Sequence, residues 1–440
     1  MVAEQVLVLD VGGATLKAAR VSRREGKKHA AHYAMDSSSV SLLANQIATT
    51  TSGGTILGAD LREKERQRAR MHYMRPIERG YCVNWNVETE LWTHLFSKKM
   101  LNMQPRDHAL VATAPLFAPT VVNETMDQVV FEEFGFQAYA RVPAAEMCVL
   151  SYAEYSAQAA STPAPKRRRA DPASSSSTEE EEEVAVSAFH ESSCQLVIDS
   201  GFSFTHVVPL VNGRVYQPGV KRINVGGKLL TNYLKEIVSY RQWNVMDETM
   251  VINELKESLC YCSMEFENEL KRYHTDRQSR KHWILPDFVR TFEGHLRTED
   301  ELVNGPNDDD QALEMGVEMI TVPEVLFHPS DIGIDQAGLA EVVMQSVRQC
   351  PEELHATLLE NILLVGGNTK FRNFRERLER DLRPLVPVDY QIQIHTPDDP
   401  ILATWRGSSI FAQSEDLTTR SVTKQEYDEH GSNICLKRFR

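Results

Sequence analysis

Apolar residues along this 440-residue chain fall into short runs that stop at an aspartate or a glycine, and one arrangement occurs twice. Val6-Leu7-Val8-Leu9 leads to Asp10, then a Gly12-Gly13 turn, then Leu16-Lys17-Ala18-Ala19. Leu196-Val197-Ile198 leads to Asp199, then a Ser200-Gly201 turn, then Thr205-His206-Val207-Val208. Each reads as a β-hairpin whose turn is open enough for a ligand to meet backbone N–H groups. A third apolar run, Ile362-Leu363-Leu364-Val365, ends at Gly366-Gly367-Asn368, and a basic amphipathic helix is predicted after it over 371–382. The 3.6-residue period predicts further helices over 87–96, opening near an Asn86 cap, and over 123–134, with Met126, Val129, Val130 and Phe134 along one side. It also predicts helices over 229–240, with Leu230, Tyr233, Leu234 and Ile237 inward, and over about 247–270. Residues 109–114 read as a buried strand closed by Pro115, and 75–80 as a turn. The Ser/Thr-rich stretch 37–52 reads as loops and the charged stretch 58–70 as helical. Strands alternating with helices give an α/β class, with ligands expected at the carboxyl ends of the strands.

Composition then changes the picture in two places. The segment AQAASTPAPKRRRADPASSSSTEEEEE cannot bury enough apolar surface to fold, so 154–193 reads as a disordered low-complexity insertion. Its Lys166 to Arg169 run has the form of a nuclear-import signal, and equally that of a solvated linker. The Asp-, Glu- and Asn-rich stretch 298–311 reads as a second, acidic surface insertion. A chain this long is expected to form two lobes rather than one core. Its seven cysteines contain no C-x-x-C pair, and Cys260-Tyr261-Cys262 would send its sulfurs to different sides of a helix, which favours free thiols in a reducing compartment. A formal charge of −14 argues against a whole-surface nucleic-acid binder and suits a basic partner such as a histone. No apolar run approaches membrane-spanning length, so no membrane partner is expected.

Facing one another, the two hairpins would form a phosphate clamp. Turn amides would meet the oxygens, Lys17 would act as a point charge, and Asp10 and Asp199 would hold a hydrated divalent cation. A plainer reading stays open for both aspartates, because a strand-end carboxylate also satisfies the amides of its own turn.

Nearly all of the chain outside the two insertions resembles the actin family. The first hairpin is similar to that family's first phosphate loop and the second to its second. Lys256-Glu257-Ser258-Leu259-Cys260-Tyr261 resembles the helix that touches ribose and base, and Gly366-Gly367-Asn368-Thr369 the loop that closes over the adenosine. Ala114-Pro115-Leu116, Val83-Asn84-Trp85 and the C-terminal TKQEYDE match further segments. The resemblance implies a two-lobed actin, sugar-kinase and heat-shock ATPase fold with a nucleotide cleft between the lobes. Lobe one would comprise 1–153 completed by 403–440, and lobe two 194–402. It also implies a nucleotide site of Asp10, Gly12, Gly13, Lys17, Asp199, Ser200, Gly201, Lys256, Glu257, Gly366 and Gly367, with ATP and Mg2+ as the ligand. The segments DSGFSFTHVVP, RINVGGKLLTNYLKEIVSYRQWNVMDET and LFHPSDIGIDQAGL resemble nuclear members of the family. Those members are subunits of Swr-type remodelling complexes, which exchange a variant histone into nucleosomes. The resemblance therefore implies a nuclear protein, also present in the cytoplasm. Its partners would be the other subunits of such a complex and its histones or nucleosome.

Several positions depart from the family. Gly13 stands where the first loop carries a serine for the terminal phosphate, and Ala14 where it carries a glycine. Phe202 replaces a second aspartate, which removes a carboxylate from the cation's water shell, and Ser203 replaces a glycine. Val142-Pro143-Ala144-Ala145-Glu146-Met147 contains no glutamine to orient an attacking water. The loop His328-Pro329-Ser330-Asp331-Ile332-Gly333 has a carboxylate where an aromatic would be buried between protomers, a cost of several kcal/mol against filaments. The expectation is a non-catalytic structural subunit that holds ATP rather than turning it over. An active ATPase or small-molecule kinase, and a cytoskeletal polymer, are the alternatives.

Overall fold

In the computed structural model, the repeated hairpins form the centres of two sheets, one in each of two lobes. The structure describes residues 4–23, 40–50, 54–58, 71–161, 189, 192–287, 291, 293–297 and 311–439. The first sheet runs in the order Val422–Thr423, Ala138–Pro143, Ala109–Ala114, Gln5–Val11, Thr15–Ser22, Ser41–Ala44. Its interior pairings are parallel, Val6 with Ala109 and Ala109 with Ala138, and the hairpin beside them places Asp10 opposite Lys17. The second sheet repeats the plan. Cys194–Ser200 pairs antiparallel with Thr205–Val211, which puts Asp199 opposite His206, and parallel with Ile362–Val365, which puts Asp199 opposite Val365.

Both central strands are buried on both faces, which is why their sequences are apolar runs rather than alternations. Leu7 and Leu9 join a core with Trp92, Phe131 and Phe136, whereas Val6 and Val8 join Trp405 and Phe411 on the opposite face. In the second sheet Leu196, Ile198, Ile362 and Leu364 pack into the largest cluster, and Val197, Leu363 and Val365 face Ala145, Cys148, Val149 and Tyr152. Those last residues belong to the helix Ala144–Ser161, which also buries Met147 against the first sheet. A second helix, Ala403–Gln413, crosses it so closely that a Cβ on Gly407 would lie 1.7 Å from the Met147 carbonyl oxygen. The two lobes meet at this crossing.

Several local expectations change. The stretch read as loops contains the strands Ser41–Ala44 and Ile47–Thr50, because Leu43 and Ile47 find cores to enter. The helix expected from an Asn86 cap is Trp85–Phe96, capped by the Asn84 side chain on the Val87 amide, so the cap lies two residues earlier. The helix expected over 123–134 begins at Thr120 and ends in a π-helical turn, Val129–Glu133. The long helix expected over 247–270 is two helices, Thr249–Leu259 and Phe266–Thr275. Between them Tyr261 bridges to Arg372 and its amide bonds to the Met319 carbonyl, a tertiary pairing that local periodicity does not encode. Cys260 and Cys262 are therefore not on a helix, although all seven cysteines are free and buried. The helix expected over 371–382 starts at Phe374, after a 3-10 turn at Gly367–Lys370.

The helix Ala144–Ser161 carries the first eight residues of the expected insertion, 154–161, and Phe189 near its other end is fully buried, 4.8 Å from Tyr152 and 4.9 Å from His395 between ring centroids. Residues 162–188, including the Lys166 to Arg169 run, lie outside the described residues, as do 59–70 of the expected charged helix and 298–310 of the acidic stretch. Among the described residues no helix is long and apolar enough to cross a membrane.

Candidate functional site

The cross-strand register of the first hairpin brings Asp10 and Lys17 together, and their side chains form a buried ion pair of 2.7 Å. The other Asp10 oxygen accepts from Thr113 Oγ1 at 2.8 Å, and the same hydroxyl accepts from the Val11 amide at 2.9 Å. Thr113 comes from the neighbouring parallel strand, so the end of the sheet fixes the carboxylate on both sides. The turn itself is held from behind, because the Asn45 side-chain amide donates to the Gly12 carbonyl at 2.9 Å. A side chain at Gly12 would strike the Thr15 carbonyl at 2.6 Å, so this tight return needs glycine.

The second hairpin faces the first. A Cβ on Gly13 would stand 2.8 Å from Ser203 Oγ and 3.4 Å from the Phe202 ring. Across the same seam, Arg75 stacks on Phe202 at 4.6 Å, and Gly80 lies so near Phe204 that a Cβ there would meet its ring at 3.0 Å. The amides of Gly13, Ala14, Phe202 and Ser203 donate to no described residue. Amides left free on two facing turns are available to an anion.

Asp199 sits beside this clamp. Its carboxyl is pushed up to about 6, first by burial and then by the nearby Asp10, with Lys17 opposing. No described residue donates a hydrogen bond to it. Ser200 is buried, and its hydroxyl bonds to Thr205 Oγ1 at 2.9 Å and to the Asn368 amide at 3.1 Å, so only its backbone faces the turn. The Gly201 carbonyl accepts from the Gly227 amide at 3.0 Å and from Asn368 at 2.8 Å. Gly366, at φ 92°, passes so close to this strand end that a Cβ would lie 2.3 Å from the Ser200 carbonyl oxygen, whereas Gly367 faces open space.

Lys256 is buried and gives its three protons to the Gly227 carbonyl at 3.3 Å, Thr231 Oγ1 at 2.9 Å and Asn253 Oδ1 at 3.0 Å. Burial lowers its pKa. It braces the turn at Gly227 instead of presenting a free ammonium. Glu257 is exposed and bonded to Asn253 at 2.8 Å. Asp10, Lys17, the two turns, Asp199 and Gly366 are thus gathered at one place, with Lys256 behind the turn and Glu257 outside it.

These residues fit an oligophosphate: unpartnered amides on two facing turns, Lys17, and backbone cradles that a side chain would fill. They offer no direct-ligand set for a divalent cation at Asp10 and Asp199, the expected contact there being through the cation's water shell. A hard cation takes six or more oxygens, and the Asp10 oxygens also accept from Lys17 and Thr113, so most of those oxygens would have to be water or phosphate. Among the described residues no group of three or more His, Cys, Asp or Glu could hold a metal ion. Nothing in the linear pattern marks Asn45, Thr113 or Arg75, which reach the site only through sheet register and lobe packing.

A model of the family described as Actin matches residues 2–440. The chain belongs to the actin family. Its curated relatives include proteins called Actin-related protein 6 from Oryza sativa subsp. indica, 34% identical over 99% of this chain and 98% of that protein, and from Arabidopsis thaliana, 37% identical over 83% and 85%. The Drosophila melanogaster protein of the same name is 33% identical over 83% of this chain and 85% of its own length. The chain is thus an actin-like protein of that type, with the two-lobed α/β fold of the actin family.

Proposed function

We propose that this chain is a non-catalytic, nuclear actin-fold subunit of a chromatin-remodelling complex of the Swr type, which exchanges variant histone into nucleosomes. A nucleotide between its lobes serves as a structural ligand. Support for the complex comes from the likeness to Actin-related protein 6 along nearly the whole chain. The observation that carries the non-catalytic part is the cleft itself, where the Phe202 ring lies beneath Arg75 at the turn that resembles the family's carboxylate-bearing second loop. The start of the helix Ala144–Ser161 supplies no water-orienting group. Its one long polar side chain there, Glu146, is tied to Arg420 at 2.9 Å and Arg214 at 3.5 Å. Water-directed phosphoryl transfer depends on positioning, so losing the positioning group costs orders of magnitude in rate.

Filament formation is not part of this reading. Asp331 is exposed in a single 3-10 turn, Pro329–Ile332, closed by Gly333 at φ 79°. Burying that carboxylate unpaired between protomers would cost several kcal/mol. Native mass spectrometry of complexes captured from nuclear extract through the tagged chain tests the proposal. The expected result is co-purification with a remodelling ATPase and histones, with nucleotide retained and no phosphate release above background from the chain alone. Turnover at the rate of a filament-forming actin, or recovery of the chain as a polymer, would overturn it.

A further inference from the structure

Two side chains beside the clamp are without hydrogen-bond or ion-pair partners among the described residues. The Arg75 guanidinium is half-buried over the Phe202 ring at 4.6 Å and makes neither a hydrogen bond nor an ion pair with any described residue. Burial lowers its pKa, so the charge is held at a cost that a bound anion would relieve. Ser203 Oγ likewise bonds to no described residue, and it lies 2.8 Å from the point where a Cβ on Gly13 would stand. A hydroxyl that a serine at position 13 would have offered from the first turn is therefore offered from the second.

We propose that Ser203 and Arg75, with Lys17, form a phosphate subsite between the two glycine turns that holds the terminal phosphate of a nucleotide without a divalent cation. This deepens the nucleotide reading above and rests on it. The chemistry is that of charge balance. Where a carboxylate at position 202 would help hold a hydrated cation, the aromatic ring instead supports a second cation from the other lobe, and a ring face suits a guanidinium. Arg75 carries five donors in a planar fork that matches phosphate oxygens, and Lys17 adds a point charge. The Ser203 hydroxyl and the unpartnered amides of Gly13, Ala14, Phe202 and Ser203 complete the donor set. Lys17 comes from one hairpin, Ser203 from the other and Arg75 from the strand edge before Ile77–Glu78, so the subsite exists only when the lobes are closed.

Isothermal titration of the full chain with ATP, in chelator and again with magnesium, tests this directly. The expected result is binding in chelator within about threefold of that in magnesium. Loss of one charge-assisted bond should weaken ATP about tenfold or more in Arg75→Ala, and Ser203→Gly should weaken ATP more than ADP. Arg75→Lys, which keeps the charge, should recover part of the loss, and inorganic tripolyphosphate should compete. If Arg75→Ala fails to fold, Ser203→Gly and Arg75→Lys carry the test. Binding that requires magnesium and is unchanged in Ser203→Gly and Arg75→Lys would overturn this inference and leave the nucleotide reading standing. Absence of binding in both conditions would overturn both.

Discussion

Replacing Glu88 by glutamine should remove a pH dependence of stability that lies between about pH 4.5 and 7. Glu88 lies on the helix Trp85–Phe96 and is fully buried. One carboxyl oxygen accepts from the Trp92 indole at 2.7 Å, and the other, Oε2, has no partner; nor has the neighbouring Asn45 Oδ1. A proton on the carboxyl removes the charge that this dry site leaves half satisfied. Burial pushes the group from 4.5 up to about 7, with the Trp92 hydrogen bond opposing. Between those values the folded protein keeps a proton that the unfolded chain has released, so raising the pH favours unfolding. The stabilising contribution is complete below 4.5 and lost as pH passes 7. At 1.36 kcal/mol per pH unit the full span is about 3 kcal/mol. Glutamine has nearly the same shape and no proton to lose. Urea denaturation at several pH values between 5 and 8 should therefore show Glu88→Gln gaining about 2–3 kcal/mol on the parent across that range. Asp127 and Asp199 also titrate near this window, which is why the difference between the two proteins is the quantity to measure. A difference constant to within about 0.5 kcal/mol would refute the reasoning.

Arg377 forms a buried two-pronged pair with Glu324, at 2.8 and 2.6 Å, so Arg377→Ala should cost about 3–5 kcal/mol in urea melts, and Glu324→Gln with Arg377→Met should recover most of it. A cost under about 1 kcal/mol for the single change would contradict this. Gly407→Ala would force a methyl group into the Met147 carbonyl, where the unstrained approach is 1.7 Å, and should give insoluble protein or a melting temperature lowered by many degrees. Deleting 163–185 should leave the melting temperature within a few degrees, because its composition holds too little apolar surface to add to a core, whereas Phe189→Ala should lower it clearly through lost packing on Tyr152 and His395. Equal effects of the two changes would count against the composition reading.

How much of this was legible follows from which interactions are local. The two hairpins and the strand Ile362–Val365 were readable because a strand buried on both faces must be apolar throughout, and an aspartate or glycine must then end it. Duplication suggests that they face one another, and Gly13 does approach Ser203 across the seam. Lys256 was legible as a residue of the site region but not as a brace, since its partners at Gly227 and Thr231 lie on another helix. The break at Cys260 to Glu265 was invisible to periodicity, because it is imposed by pairing with Met319 and Arg372. Asn45 was hidden in a polar stretch that read as loop, and Arg75 in what read only as a turn. In each case the deciding partner is distant in sequence.

The crossing of Ala144–Ser161 and Ala403–Gln413 has a mechanical consequence. Where backbone meets backbone at Gly407, no side chain acts as a spacer, and sliding of one helix along the other would drive main chain against the main chain of Met147. Rotation about the contact point is the soft direction that remains. Such a joint behaves as a pivot with few degrees of freedom, and a few constraints are enough to lock it. A constraint on both lobes far from the cleft would thus set the cleft's width, much as a hand on the handles sets the opening of a pair of pliers.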